Sequence, residues 1–158
     1  MIVFWVENQN GYYWAIDANQ TEHDVFYREN ASSVWRHTGE KLDRFLLHCT
    51  VHEAIVRAEN KFSAVVPTSS LQGALARFSP LPFRPLAHED PATELLCSSD
   101  ALARVAPPPV GYSHPGKPSW LLTIAAPRES SVQKYRRALE RSILPSRPVD
   151  ACVEDLPF

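Results

Sequence analysis

Ten of the 14 prolines in this chain fall between Pro67 and Pro118, three of them consecutive at Pro107-Pro108-Pro109. Each proline removes a backbone donor and fixes φ. That stretch therefore cannot be a long helix or a central strand throughout. Short elements still fit between the prolines. Ser69 and Gln72 have the spacing of a capping box, and Leu71, Leu75 and Phe78 follow on one helical side, which predicts a helix over about 69–78. Glu94–Cys97 and Ala101–Val105 flank Ser98-Ser99-Asp100 and predict a hairpin.

The flanks carry longer patterns. Ile2–Val6 and Tyr12–Ile16 read as strands joined at Asn10-Gly11, a dipeptide that tolerates positive φ. Val25–Arg28 and Val34–His37 continue an antiparallel meander, with a turn at Asn30-Ala31-Ser32-Ser33. Thr38 is a candidate cap for a helix over about 40–59, with Glu40 in its first turn. Leu42, Phe45, Leu46, Cys49 and Val56 form the apolar side of that helix, widened by Leu47, Val51 and Ile55. Trp120–Ala126 is a nearly continuous apolar run that suits a strand buried on both faces. Val132, Tyr135, Leu139 and Ile143 mark the core side of a last helix over 130–143, stopped by Pro145. The expected fold is a single α+β domain over 1–144. Its antiparallel sheet combines the N-terminal meander with the later hairpin and strand, and is packed by the three helices. A proline-containing C-terminal tail follows at 145–158.

The 158 residues are enough for one domain with its own core. Apolar residues make up 44% and charged residues 22%, which is ordinary for a globular protein. A net charge of −2 argues against general attraction to nucleic acid or to an anionic membrane. Cys49, Cys97 and Cys152 are odd in number and far apart, so they read as reduced thiols. The start shows no signal-peptide pattern and no apolar run reaches membrane-spanning length, so a cytoplasmic location is expected.

Motifs for chemistry are sparse. His48 and His52 share a helix face and have the spacing of metal ligands, but the order is not H-E-x-x-H and no third ligand is evident. His88-Glu89-Asp90 reads as a polar turn before Pro91. Gly111 to Lys117 approaches a phosphate loop, yet Pro118 stands where the metal-binding hydroxyl belongs. No G-x-S-x-G elbow is present. Lys134, Arg136, Arg137 and Arg141 on the last helix read as a solvated surface. No catalytic residue, metal ligand or cofactor is therefore expected. The aromatics carry more information. Phe4, Trp5, Tyr12, Tyr13, Trp14, Phe26, Tyr27 and Trp35 crowd the first 35 residues, and adjacent strand residues point to opposite faces. Both faces of the meander are thus partly apolar: one takes the helix, and the other needs a further layer or a partner.

Phe4-Trp5-Val6-Glu7-Asn8-Gln9-Asn10-Gly11, followed by Tyr13-Trp14-Ala15-Ile16, resembles the hairpin of the SUKH superfamily. Trp35 and the Phe-Leu-Leu core of Leu42–Ile55 resemble the strand and helix that follow it there. The resemblance extends over about residues 2–143 and is specific for the first 55. It implies an α+β fold and a non-enzymatic protein-binding role. Many bacterial members are immunity proteins that neutralise a cognate toxin, and yeast relatives regulate cell-wall synthesis. Glu7, Asn8, Gln9 and Trp14 match its motif as hairpin-building residues. Members carry a helical segment before this hairpin; the present chain starts at the strand, so the expectation is either a shortened relative or a start that has been trimmed. The binding anchors expected on the aromatic sheet face are Trp5, Tyr13, Tyr27 and Trp35. The partner is a protein, a toxin if the resemblance extends to function, with no nucleic acid or membrane. The alternatives are a metal-dependent hydrolase built on His48 and His52, and a self-associating structural subunit that forms a homodimer through its exposed first strand.

Overall fold

The computed structural model describes residues 1–7, 11–112 and 118–143, with no side-chain description at 142 and 143. The fold is α+β, with two antiparallel sheets and three helices. The expected tail at 145–158, Asn8-Gln9-Asn10 of the first turn, and residues 113–117 of the phosphate-loop-like segment lie outside the described residues. Within the described residues the chain separates into two compact units. The first comprises Met1–Val51 and Pro85–Glu89; the second comprises His52–Arg84 and the chain from Asp90 onwards.

The first unit holds the aromatic meander. Strands β1 (Ile2–Val6), β2 (Tyr12–Ile16), β3 (Asp24–Glu29) and β4 (Arg36–Lys41) pair in sequence order, each antiparallel to the next. Register decides the faces, because directly opposed residues point the same way. Trp5, Trp14 and Tyr27 are in line across three strands, and so are Ile2, Ile16 and Val25. This face packs under Phe45, Cys49 and Leu42 of α1 (Leu42–Val56) and under Leu86 and Ala87. Trp14 and Val25 are fully buried there, and the indoles of Trp5 and Trp14 stack at 4.8 Å.

The junction from β4 to α1 differs from the expected capped helix over 40–59. The helix starts at Leu42 and ends at Val56, and residues 38–41 belong to the strand. A register shift opposite Asp24–Phe26 inserts extra residues into β4, and Gly39 adopts φ 86° within them. A positive φ is open to glycine at little cost. The Thr38 hydroxyl serves this irregularity instead of a helix cap. It donates to the Val25 carbonyl at 2.9 Å and accepts from the Glu40 N–H at 3.1 Å. The Leu42 N–H, which a helix leaves without an internal partner, donates to the His23 carbonyl at 3.0 Å.

Glu40 is therefore directed inward and not into a solvated first turn. It is 6% exposed, His48 is 1% exposed, and His48 Nδ1 lies 3.1 Å from Glu40 Oε2. The pair fixes the rotation of α1. It brings Phe45 and Cys49 onto the sheet and leaves Leu46 and Leu47, both expected on the core-facing surface, 49% and 57% exposed. Apolar residues surround this helix on most sides, so periodicity alone could not select the buried one.

The second unit has the strand order β5-β9-β8-β7-β6, antiparallel throughout. Its strands are β5 (Lys61–Pro67), β6 (Ser79–Pro80), β7 (Glu94–Cys97), β8 (Leu102–Ala106) and β9 (Ser119–Ala125). The hairpin predicted around Ser98-Ser99-Asp100 is β7–β8, and the apolar run is β9, which has partners on both sides. β5 was not anticipated, because its Lys61-Phe-Ser-Ala start breaks the apolar run. Helices α2 (Thr68–Ala74) and α3 (Glu129–Ile143) pack on the sheet. Val132, Tyr135 and Leu139 meet Leu122, Ile124, Ala103 and Val66 as expected, while the Ile143 side chain lies outside the described residues. α2 stops at Ala74 rather than 78 and begins after Pro67 with no side-chain cap, so the Ser69–Gln72 capping box does not form.

Glu40→Ala should cost ~3–5 kcal/mol, because it leaves His48 buried after losing a partner. Glu40→Gln keeps a hydrogen-bonding group of the same shape and should cost less. Urea unfolding of both variants against the native chain measures the difference, and equal stability of Glu40→Ala and the native chain refutes the role given to this pair.

Candidate functional site

The opposite face of the first sheet has a different chemistry. Val6, Tyr13 and Arg28 are in line on it, as are Val3, Ala15 and Phe26. Val3 and Val6 are 44% and 38% exposed, whereas Tyr13, Phe26 and Arg28 are half-buried. The Arg28 guanidinium carbon lies 4.9 Å from the centre of the Tyr13 ring and 5.1 Å from that of Trp35. One cation thus sits against two aromatic faces, an arrangement that favours a planar guanidinium. Arg28 Nη1 donates to the Ser32 carbonyl at 3.3 Å, and the Tyr13 hydroxyl donates to Asn30 Oδ1 at 3.3 Å. Both contacts tie the clamp to the turn after β3. Beside it, Phe26 meets the His37 ring edge-on at 5.1 Å, and His37 Nε2 lies 3.5 Å from Asp24 Oδ2.

The four expected anchors therefore do not share a surface. Trp5 and Tyr27 belong to the face packed under α1, and Trp5 also meets Phe45 at 5.9 Å. Tyr13 and Trp35 stand on the other face, on either side of Arg28. The reason is the strict alternation of strand side chains. Tyr13 is one residue from Trp14, and Tyr27 one residue from Arg28, so each neighbouring pair divides between the faces. Arg28 was missed as a site residue. The available signal was a charged residue at the solvent-side position of an aromatic strand, but the pairing of Tyr13 with Arg28 depends on the register of a loop that composition does not fix.

The other candidates lead elsewhere. His48 is committed to Glu40, while His52 Nδ1 lies 3.9 Å from Glu53 Oε1. Among the described residues no group of three or more His, Cys, Asp and Glu side chains is disposed to hold a metal ion. His88 packs its ring against Tyr12 and Trp14, at 6.0 and 5.9 Å. Neither Cys49 nor Cys97 forms a disulfide among the described residues.

In the second unit an open depression of about 510 Å³ is lined by Ala54, Ala58, Ala101, Ala126, Asn60 and Asp100, among others. The Asp100 carboxylate on its lining is already engaged. Tyr135 donates to Asp100 Oδ1 at 2.6 Å, while Lys134 and Ser131 donate to Oδ2 at 3.1 and 3.2 Å. Ser98 Oγ lies 2.9 Å from the Tyr135 hydroxyl and accepts the Ala101 N–H at 3.0 Å. These bonds latch α3 to the β7–β8 turn. The Tyr135 hydrogen bond, followed by that of Lys134, holds the Asp100 carboxyl down at about 2.

A scan of protein-family models, a search of curated proteins and a search of solved structures each found no match to this chain. Among the described residues no helix is long and apolar enough to cross a membrane.

Two outcomes follow from these contacts. Trp5→Ala should destabilise the first unit by ~3–5 kcal/mol through a core cavity. Trp35→Ala, which removes a ring from one side of Arg28, should cost only ~0.5–2 kcal/mol. Chemical unfolding separates the two, and equal losses refute the division of faces. For Asp100, a folded pKa below its unfolded value means stabilisation that is complete above about pH 5 and is lost as pH falls towards about 2. Asp100→Asn should flatten that acid limb in melting temperatures taken over the same range; an unchanged slope refutes the latch.

Proposed function

We propose that this chain is a non-enzymatic protein-binding domain whose contact surface is the outer face of the first sheet. One observation carries the reading: Arg28 is held between Tyr13 and Trp35 on a face that also exposes Val3 and Val6. Arginine, tyrosine and tryptophan are the residues that dominate binding energy at protein interfaces. Rings that already hold the guanidinium reduce the ordering cost of binding, because the side chains need not be fixed anew. The resemblance to SUKH immunity proteins gives the partner class: a toxin encoded beside this chain, neutralised in the cytoplasm by occlusion. Neutralisation by binding needs a pre-organised surface and no reactive group.

The test is co-expression of this chain with the product of the neighbouring gene. Protection from its toxicity and a complex stable in sedimentation are expected. Tyr13→Ala combined with Trp35→Ala should weaken binding roughly 100-fold while the melting transition persists. Full protection by that double variant removes the surface from the reading, and no complex with the native chain removes neutralisation. The same runs report the mass of the chain alone. A second reading, self-association through β1, draws on its place at the sheet edge and on the exposure of Ile2, Val3, Phe4 and Val6. It requires a dimer in those runs.

A further inference from the structure

Arg28 is a half-buried cation with no carboxylate partner among the described residues. Its contacts are the two rings and the Ser32 carbonyl, and its Nε is buried without a hydrogen-bond partner. Buried charges are normally matched by an opposite charge or by a full set of hydrogen bonds. Tyr13 and Trp35 both lie against the guanidinium and its Nε is enclosed, so the end that a carboxylate fork could meet is the outer Nη pair. Asp24, the acid on the same face, is engaged with His37. The neighbouring exposed groups, Val3 and Val6, are apolar and uncharged. A site of this kind offers one fixed positive fork within a patch that excludes water on contact.

We infer that the partner docks an acidic side chain, Asp or Glu, onto Arg28, with apolar residues of the same segment on Val3 and Val6. This rests on the proposed binding face and deepens it by naming the chemistry that the face selects. The acid meets the outer Nη end of the guanidinium, beside Tyr13 and Trp35. A phosphate backbone would meet the same fork, but it would gain nothing from the two valines, and the chain's net charge of −2 disfavours polyanions at a distance.

The experiment uses short random peptides displayed on phage and selected on the intact chain, then counter-selected on Arg28→Ala. Circular dichroism and the melting transition establish that Arg28→Ala is folded, and Arg28→Lys provides a second variant that keeps the charge and loses the planar fork. Peptides specific for the native chain should share an Asp or Glu. Changing that acid to Asn or Gln should weaken binding at least ~10-fold, and Arg28→Lys should weaken it by a similar factor. Added salt should weaken it further. Peptides that need Tyr13 and Trp35 but neither an acid nor Arg28 would overturn the inference while leaving the binding face standing. Failure to recover any peptide dependent on these three residues would overturn both. Binding of a single-stranded oligonucleotide, lost in Arg28→Ala, would replace the acidic peptide as occupant.

Discussion

The first unit depends on a buried hydrogen bond between a strand and the helix that follows it directly. Glu40 and His48 are eight residues apart, and α1 begins immediately after β4. With no linker between the two elements, the direction of Glu40 and the rotation of the helix are one variable. Gly39, with its positive φ, sets that variable by turning the strand through its irregularity. The consequence reaches the aromatic sheet: the helix rotation that lays His48 against Glu40 also places Phe45 and Cys49 over Trp14 and Val25. Which face of the meander is closed, and which carries the Arg28 clamp, follows from that one contact.

The second unit is fixed differently. Its interior strand β9 is buried along most of its length and pairs on both sides. Hydrophobic burial does most of the specifying there, and polar groups act at the margin. The Ser63 and Thr123 hydroxyls satisfy each other across β5 and β9 at 2.9 Å. Asp100 collects three donors from α3 at the hairpin turn, which places that helix against that end of the sheet.

The sequence was most legible where one signal acted alone. The β7–β8 turn, the apolar strand β9 and the period of Val132, Tyr135 and Leu139 were readable because nothing competed with them. The class of the fold followed from those elements together with the aromatic strands. The misreadings came where two signals overlapped. Thr38 and Glu40 have the composition of a helix start, but a glycine between them allowed the strand to continue. α1 is apolar on several sides, so the exposure of Leu46 and Leu47 was decided by a polar pair and not by hydrophobicity. The candidate site was legible in composition and illegible in geometry. Aromatics marked the right sheet, yet the distribution of Trp5, Tyr13, Tyr27 and Trp35 between two faces depended on register, and Arg28 gained its meaning only from its cross-strand neighbours.

A strand that passes into a helix without a loop leaves no slack in chain length. One residue added between Gly39 and Phe45 would turn every later position of α1 by about 100°. An insertion after Glu40 would carry His48 towards the site now filled by Cys49 and Phe45 towards that of Leu46, and Glu40 would be left without His48. Loops elsewhere in the chain can lengthen during divergence at little cost, but this junction cannot. Homologues of this chain should therefore vary freely in their connections while keeping the interval from the glycine to the buried histidine constant, which makes that interval a more durable mark of kinship than the identity of the residues within it.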